Sequence, residues 1–323
     1  GLPGLSYTFE GKTPPQIGIS LDADNLLPVT LCAPEEFTAA EYLPETPAFT
    51  LRPGANVLVL EPGGGLGILQ ALAGDASDVT AVVMNPLIPQ AMQRVAPEFD
   101  VFSLPNVQTV LESGRVFLHR DARSYDIIFY PLTDAYHPVS SGAYSLVETY
   151  DQTAEAFTDA LRRLAPDGIL VITQWLQTPP SESVRTVATL VKALENIGYS
   201  QPEMNIIAYR GIQTLTVLIQ PDGWNARELA AVRAFTEARR YDLVWMEDIR
   251  PEEVNRFNVA PVAADYAAIG ELLTTTDRAA FFAGYPYAIE PPTDDRPFFY
   301  SFFRWQQTPQ VLAALGKRWQ PFG

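Results

Sequence analysis

The stretch from Asn56 to Gly67, NVLVLEPGGGLG, constrains the fold more than any other part of this chain. Val57, Leu58, Val59 and Leu60 form a continuous apolar run, the pattern of a short strand buried on both faces of a parallel sheet. Glu61-Pro62 ends the run, Gly63, Gly64, Gly65 and Gly67 come next, and Ile68 to Ala73 reads as a helix. A strand, a glycine turn and a helix start make a βα unit suited to nucleotides. Glycine lets a ligand approach the backbone, and the first turn of a helix offers free N–H groups. The spacing is E-x-G-x-G-x-G, fixed by Glu61, Gly63, Gly65 and Gly67, and differs from the dinucleotide pattern G-x-G-x-x-G.

From Val79 to Ile197 strands and helices alternate regularly. Val79–Met84, Val107–Leu111, Tyr125–Tyr130 and Ile169–Trp175 read as further strands, with helices expected over Ile88–Val95, Leu146–Leu164 and Ser181–Ile197. Ser181 is placed to cap the last of these, and Gly198 lies just past its end. Ile206–Tyr209 and Thr214–Ile219 close the run as a hairpin. Alternating βα units imply an α/β fold with a parallel sheet covered on both faces. In such sheets ligands sit at the carboxyl ends of the strands, so Glu61–Gly67, Asn85, Glu112–Gly114 and Pro131–Asp134 are expected to converge on one crevice. Before this region, residues 1–52 are proline-rich and read as a small β-containing module, with strands at Gln16–Leu21 and Leu27–Leu31. After it, 222–323 reads as a helical and aromatic extension packed on the 53–221 core. It has helices over Ala226–Arg240, Tyr266–Gly284 and Val311–Arg318, a strand at Tyr241–Met246, and an aromatic anchor in Phe298–Phe303.

Composition narrows the function. The 323 residues carry 22 basic and 38 acidic side chains, a net charge of −16, which argues against a nucleic-acid groove because phosphate binding needs clustered Lys and Arg. Cys32 is the single cysteine and His119 and His137 are the only histidines, so no internal disulfide forms and no zinc-ligand spacing exists. A reducing, cytoplasmic setting is expected. No apolar run reaches the roughly 18 residues of a membrane helix.

The stretches VLVLEPGGGLGILQAL, VTAVVMNPLI, SGRVFLHRDARSYDII, SSGAYSLVETYDQTAEAF and LAPDGILVITQW resemble the spermidine synthase (polyamine aminopropyltransferase) family, a branch of the class I S-adenosylmethionine (AdoMet) methyltransferase superfamily. The resemblance runs from about Ala55 to Gln220. It is nearest to the soluble domains of bacterial membrane-attached members, which the ending TDDRPFFYSFFRW also resembles. It implies a Rossmann-like, seven-stranded methyltransferase sheet with an antiparallel final strand. It also implies AdoMet or decarboxylated AdoMet as cofactor, a polyamine or other amine as substrate, a homodimer, and membrane segments outside this sequence. The positions it assigns to the cofactor are Glu61, Gly63, Gly64, Gly65, Gly67, Asn85, Glu112, Ser113 and Gly114. Asp134, Tyr144 and Glu148 would face the acceptor amine.

Several positions depart from that family's pattern. The Asp usual within the glycine turn is Leu66, and the acid after the second strand, which would take both ribose hydroxyls, is Val83. The Asp after the third strand is Ser113, and the first Asp of the D-[ST]-[ST]-D motif is Pro131, leaving only Asp134. Aminopropyl transfer needs a carboxylate to deprotonate an amine that is charged near neutral pH, and proline cannot serve. Each lost charged hydrogen bond costs about 1.5–3 kcal/mol, enough together to turn micromolar affinity into millimolar. These departures leave two expectations. One is a transferase with degenerate positions. The other is a catalytically silent domain kept as a regulatory or interaction module, its crevice plugged by Leu66, Val83 or Met84. Methyl transfer and a proton shuttle through His137 are weaker readings.

Overall fold

The computed structural model describes residues 1–21, 25–133 and 146–304. Two strands, β1 (Gln16–Leu21) and β2 (Asn25–Thr30), pair antiparallel as a separate ribbon. Two 3₁₀ turns, Pro34–Glu36 and Thr38–Tyr42, come next, followed by α1 (Thr46–Leu51). The βα run then begins: β3 (Asn56–Leu60), α2 (Leu66–Ala73), β4 (Asp78–Val82), α3 (Leu87–Val95), β5 (Val107–Val110), α4 (Gly114–Arg120), β6 (Tyr125–Tyr130), α5 (Ala154–Arg162), β7 (Leu164–Trp175) and α6 (Glu182–Asn196). The hairpin β8 (Ile206–Arg210) and β9 (Thr214–Ile219) comes next, and then α7 (Ala226–Arg239), β10 (Asp242–Trp245), α8 (Ala264–Thr274) and α9 (Arg278–Gly284).

The main sheet has the order β10-β8-β9-β7-β6-β3-β4-β5. β5, β4, β3, β6 and β7 run parallel, and β9 inserts antiparallel between β7 and β8. This is the expected Rossmann-like methyltransferase sheet, with β10 added antiparallel along β8 as an eighth strand. Alternation in β3 shows why the apolar run is continuous: Val57 and Val59 enter the core layer containing α1, α2 and α7, while Leu58 and Leu60 enter the layer containing α5, α6 and α8. Among the described residues no helix is long and apolar enough to cross a membrane.

Two expectations change, and a third is not tested. The helix expected from Leu146 begins only at Ala154, because Thr153 caps it by accepting the Ala156 N–H; Tyr150–Gln152 forms a 3₁₀ turn instead. The helix expected over Tyr266–Gly284 is broken into α8 and α9, with Asp277 capping the second by accepting the Ala280 N–H. The Val311–Arg318 helix lies outside the described residues.

Glu45, just ahead of α1, ties the layers together. Its buried carboxylate accepts from Gln70 Nε2 (2.9 Å) on α2 and Thr173 Oγ1 (2.6 Å) on β7. Burial raises its pKa above the ordinary 4.5, outweighing those hydrogen bonds. A carboxyl whose folded pKa is raised contributes stability fully present below its unfolded pKa and lost as pH rises through the folded value. The expected result is that Glu45→Gln flattens the decline in urea midpoint from about pH 4.5 upward; an unchanged slope would contradict it.

Candidate functional site

The carboxyl ends of β3, β6 and β7 surround a cavity of about 250 Å³, lined by Glu61, Gly63, Ile88, Tyr130 and Asp151 among others. Of the glycine turn only Gly63 is among its lining residues, and the turn's glycines are themselves buried. Gly65 has φ 89°, a left-handed conformation that favours glycine, and leads directly into α2. Gly64 answers a different demand. A Cβ there would lie 2.2 Å from the backbone carbonyl oxygen of Pro28, so β2 rests directly on the turn. At Gly63 a Cβ would meet Thr133 Cγ2 at 2.9 Å and Leu27 Cδ1 at 3.0 Å, and at Gly67 it would meet Pro131 Cγ at 3.0 Å. Protein therefore covers the backbone where a ligand was expected. The plug is not Leu66, Val83 or Met84: Leu66 is half-buried beside a neighbouring cavity, Val83 belongs to the core, and Met84 points outward with 65% exposure. The ribbon strand β2 and Pro131 take that place, because their atoms are the ones lying over the turn.

The polar residues predicted around the crevice have protein partners. Glu61, itself at φ 49°, accepts the Met84 N–H through both carboxylate oxygens (3.0 and 3.3 Å), tying the end of β3 to the end of β4. Asn85 Oδ1 accepts the Leu87 N–H at 3.0 Å and caps the turn into α3. Glu112 takes Arg120 Nε and Nη2 at 3.0 and 2.9 Å. Ser113 caps α4 by accepting the Val116 N–H at 3.4 Å. Glu148 is exposed and lies beside Tyr150, raising its phenol pKa. Asp134, Tyr144 and His137 lie outside the described residues.

Sequence reasoning missed the residues that give this cavity its chemistry. Tyr130 Oη, Asp151 Oδ1 and Gln152 Oε1 are buried with no hydrogen-bond partner among the described residues, and all three residues line the cavity. Gly114 matters here by its size, since a Cβ on it would stand 3.0 Å from Asp151 Oδ1. Burial pushes the Asp151 carboxyl above its ordinary range, against the pull of the Arg115 N–H and guanidinium. That guanidinium is engaged elsewhere, bridging Asp159 (2.6 Å) and Asp294 (2.8 Å). Tyr130 is likewise raised, first by burial and then by Asp151. The available signal was Thr153: a capping residue ahead of A-E-A-F moves the helix start and puts Asp151 and Gln152 in a turn. Deleting a buried hydroxyl without a partner removes a desolvation cost of about 1–3 kcal/mol. Tyr130→Phe is therefore expected to raise the thermal midpoint or leave it unchanged, and a fall of several degrees would show that the hydroxyl is bonded.

No protein-family model matches the chain, and no curated protein matches it. Solved structures similar to it include a spermidine synthase in complex with the transition-state analogue AdoDATO (14% identity over 79% of this chain and 86% of that one, TM-score 0.46). Others are a spermidine synthase from Thermotoga maritima (15% identity, 77% of each chain, TM-score 0.41) and a precorrin-6Y C5,15-methyltransferase from Geobacter metallireducens (15% identity, 56% and 85%, TM-score 0.35). The chain's own strand order and glycine turn define the class: an α/β domain of the Rossmann-like methyltransferase type.

Proposed function

We propose that this chain is a spermidine-synthase-like domain that keeps the transferase fold without its chemistry, serving as a regulatory or interaction module of a membrane-associated protein. One observation carries the reading: the turn that would cradle an adenosyl group is covered by Leu27, Pro28 and Pro131. The residues around it do not fit the cofactor. Val83, at the position of the ribose-binding acid, is packed into the core, and Glu61, Asn85, Glu112 and Ser113 are engaged with neighbouring protein groups. Isothermal titration with AdoMet, decarboxylated AdoMet and methylthioadenosine tests this. The expected result is no saturable heat at millimolar ligand; binding of any of the three at micromolar concentration ends the silent reading.

A second reading, a working amine transferase, is favoured by Asp151 alone. A buried carboxyl with a raised pKa beside an unpartnered phenol is the kind of group that accepts a proton from an amine. Turnover of putrescine with decarboxylated AdoMet, abolished in Asp151→Asn, is the outcome that would establish it.

A further inference from the structure

Beside the polar cavity lies a second one of about 200 Å³, lined by apolar groups that include Leu26, Pro28, Pro62, Leu66 and Leu132. Leu27, Leu132 and Thr133 line both cavities. The side chains of Leu27 and Thr133 converge above Gly63, where the same hypothetical Cβ would touch Leu27 Cδ1 and Thr133 Cγ2. Leu27 and Thr133 therefore form the part of the shared wall that stands over Gly63, with Leu132 beside them. Each cavity alone falls below the roughly 300–1,000 Å³ typical of small-molecule sites, and joined they enter that range.

We propose that the two cavities are halves of one ligand site, divided over Gly63 by Leu27 and Thr133, that takes a small amphiphile with a hydrogen-bond-donating head and an apolar tail. The proposal rests on the reading that the glycine turn no longer grips an adenosyl group. Asp151 Oδ1 and Gln152 Oε1 only accept when the carboxyl is ionised, and Tyr130 Oη does either, so a head that donates satisfies all three. An anionic head would instead face a carboxylate across a buried cavity. The tail enters the apolar half when Leu27, carried on the two-stranded ribbon rather than the main sheet, turns aside. A minor conformer made dominant by its ligand is the thermodynamic form of such a site.

The test is isothermal titration of the purified protein with 1-hexanol, hexylamine and hexanoate, which share a tail and differ in head. Leu27→Ala removes the larger of the two side chains over Gly63, and is expected to bind hexanol or hexylamine at least tenfold more tightly than wild type, and hexanoate no better. Whichever of the two binds more tightly tells a neutral head from a cationic one. Adding Tyr130→Phe to Leu27→Ala is expected to weaken binding at least threefold. Should Leu27→Ala fail to fold, Thr133→Ser, which loses only the methyl on the wall, replaces it with an expected gain of about threefold. A folded wall variant with unchanged affinity overturns the proposal, as does hexanoate binding as tightly as hexylamine. Methylthioadenosine binding to wild type would overturn only the silent reading on which the proposal rests.

Discussion

Arg185→Met is expected to cost about 4 kcal/mol of unfolding free energy. Arg185 lies on α6, is 4% exposed, and donates to four backbone carbonyls: Phe298 (3.2 Å), Phe299, Ala288 and Ser301 (3.0 Å). Its guanidinium also sits 4.5 Å from the centroid of the Phe302 ring. Burial lowers its pKa to about 9, so it is still cationic near pH 7. Methionine fills much of the volume but donates nothing, leaving four acceptors stranded. Arg185→Lys should recover less than half the loss, because three ammonium hydrogens cannot reproduce a planar fork. Urea unfolding measures the free energy, and proteolysis within 286–304 reports release of the aromatic segment. A loss below 1 kcal/mol would mean that the carbonyls find other donors.

The second large effect is Gly64→Ala, expected at about 3 kcal/mol. Gly64 does not have positive φ, so alanine meets no backbone penalty there and the cost is purely steric. The new methyl would strike the Pro28 carbonyl, a backbone atom in a paired strand that cannot rotate away. The β1–β2 ribbon must lift, so protease cleavage near residues 16–30 should quicken together with the fall in stability. Gly284→Ala is the control. Its Cβ would meet nothing within 4 Å at the end of α9, and it should be neutral or gain up to about 1 kcal/mol from helix propensity. Equal effects at the two glycines would refute the steric account.

The legible parts of this fold were those whose information is local. The apolar run Val57–Leu60 and the glycines after it identify a strand and turn without reference to the rest of the chain. The helix expected over Ala226–Arg240 forms as α7, where the structure shows Asn225 and Glu228 closing a capping box. Arg185 was hidden, because inside VRTVATLVKAL it resembles any polar residue on a helix and its partners stand more than 100 positions away. The cover on the glycine turn was hidden for the same reason. Nothing in NLLPVT indicates which surface Leu27 and Pro28 rest on. Asp151 and Gln152 were obscured by a boundary error, since a helix drawn from Leu146 makes them ordinary helix positions.

The eighth strand has a consequence for how copies of this chain meet. β10 occupies the border of the sheet beyond β8, is four residues long, and loses register between Leu243 and Trp245. At the far side β5 also offers only four residues. A twisted sheet this wide thus presents no long, regular row of open amides at either margin, so a neighbouring molecule has little to continue. Self-association through the margins of this sheet would have to be built from side chains rather than from an extended ladder.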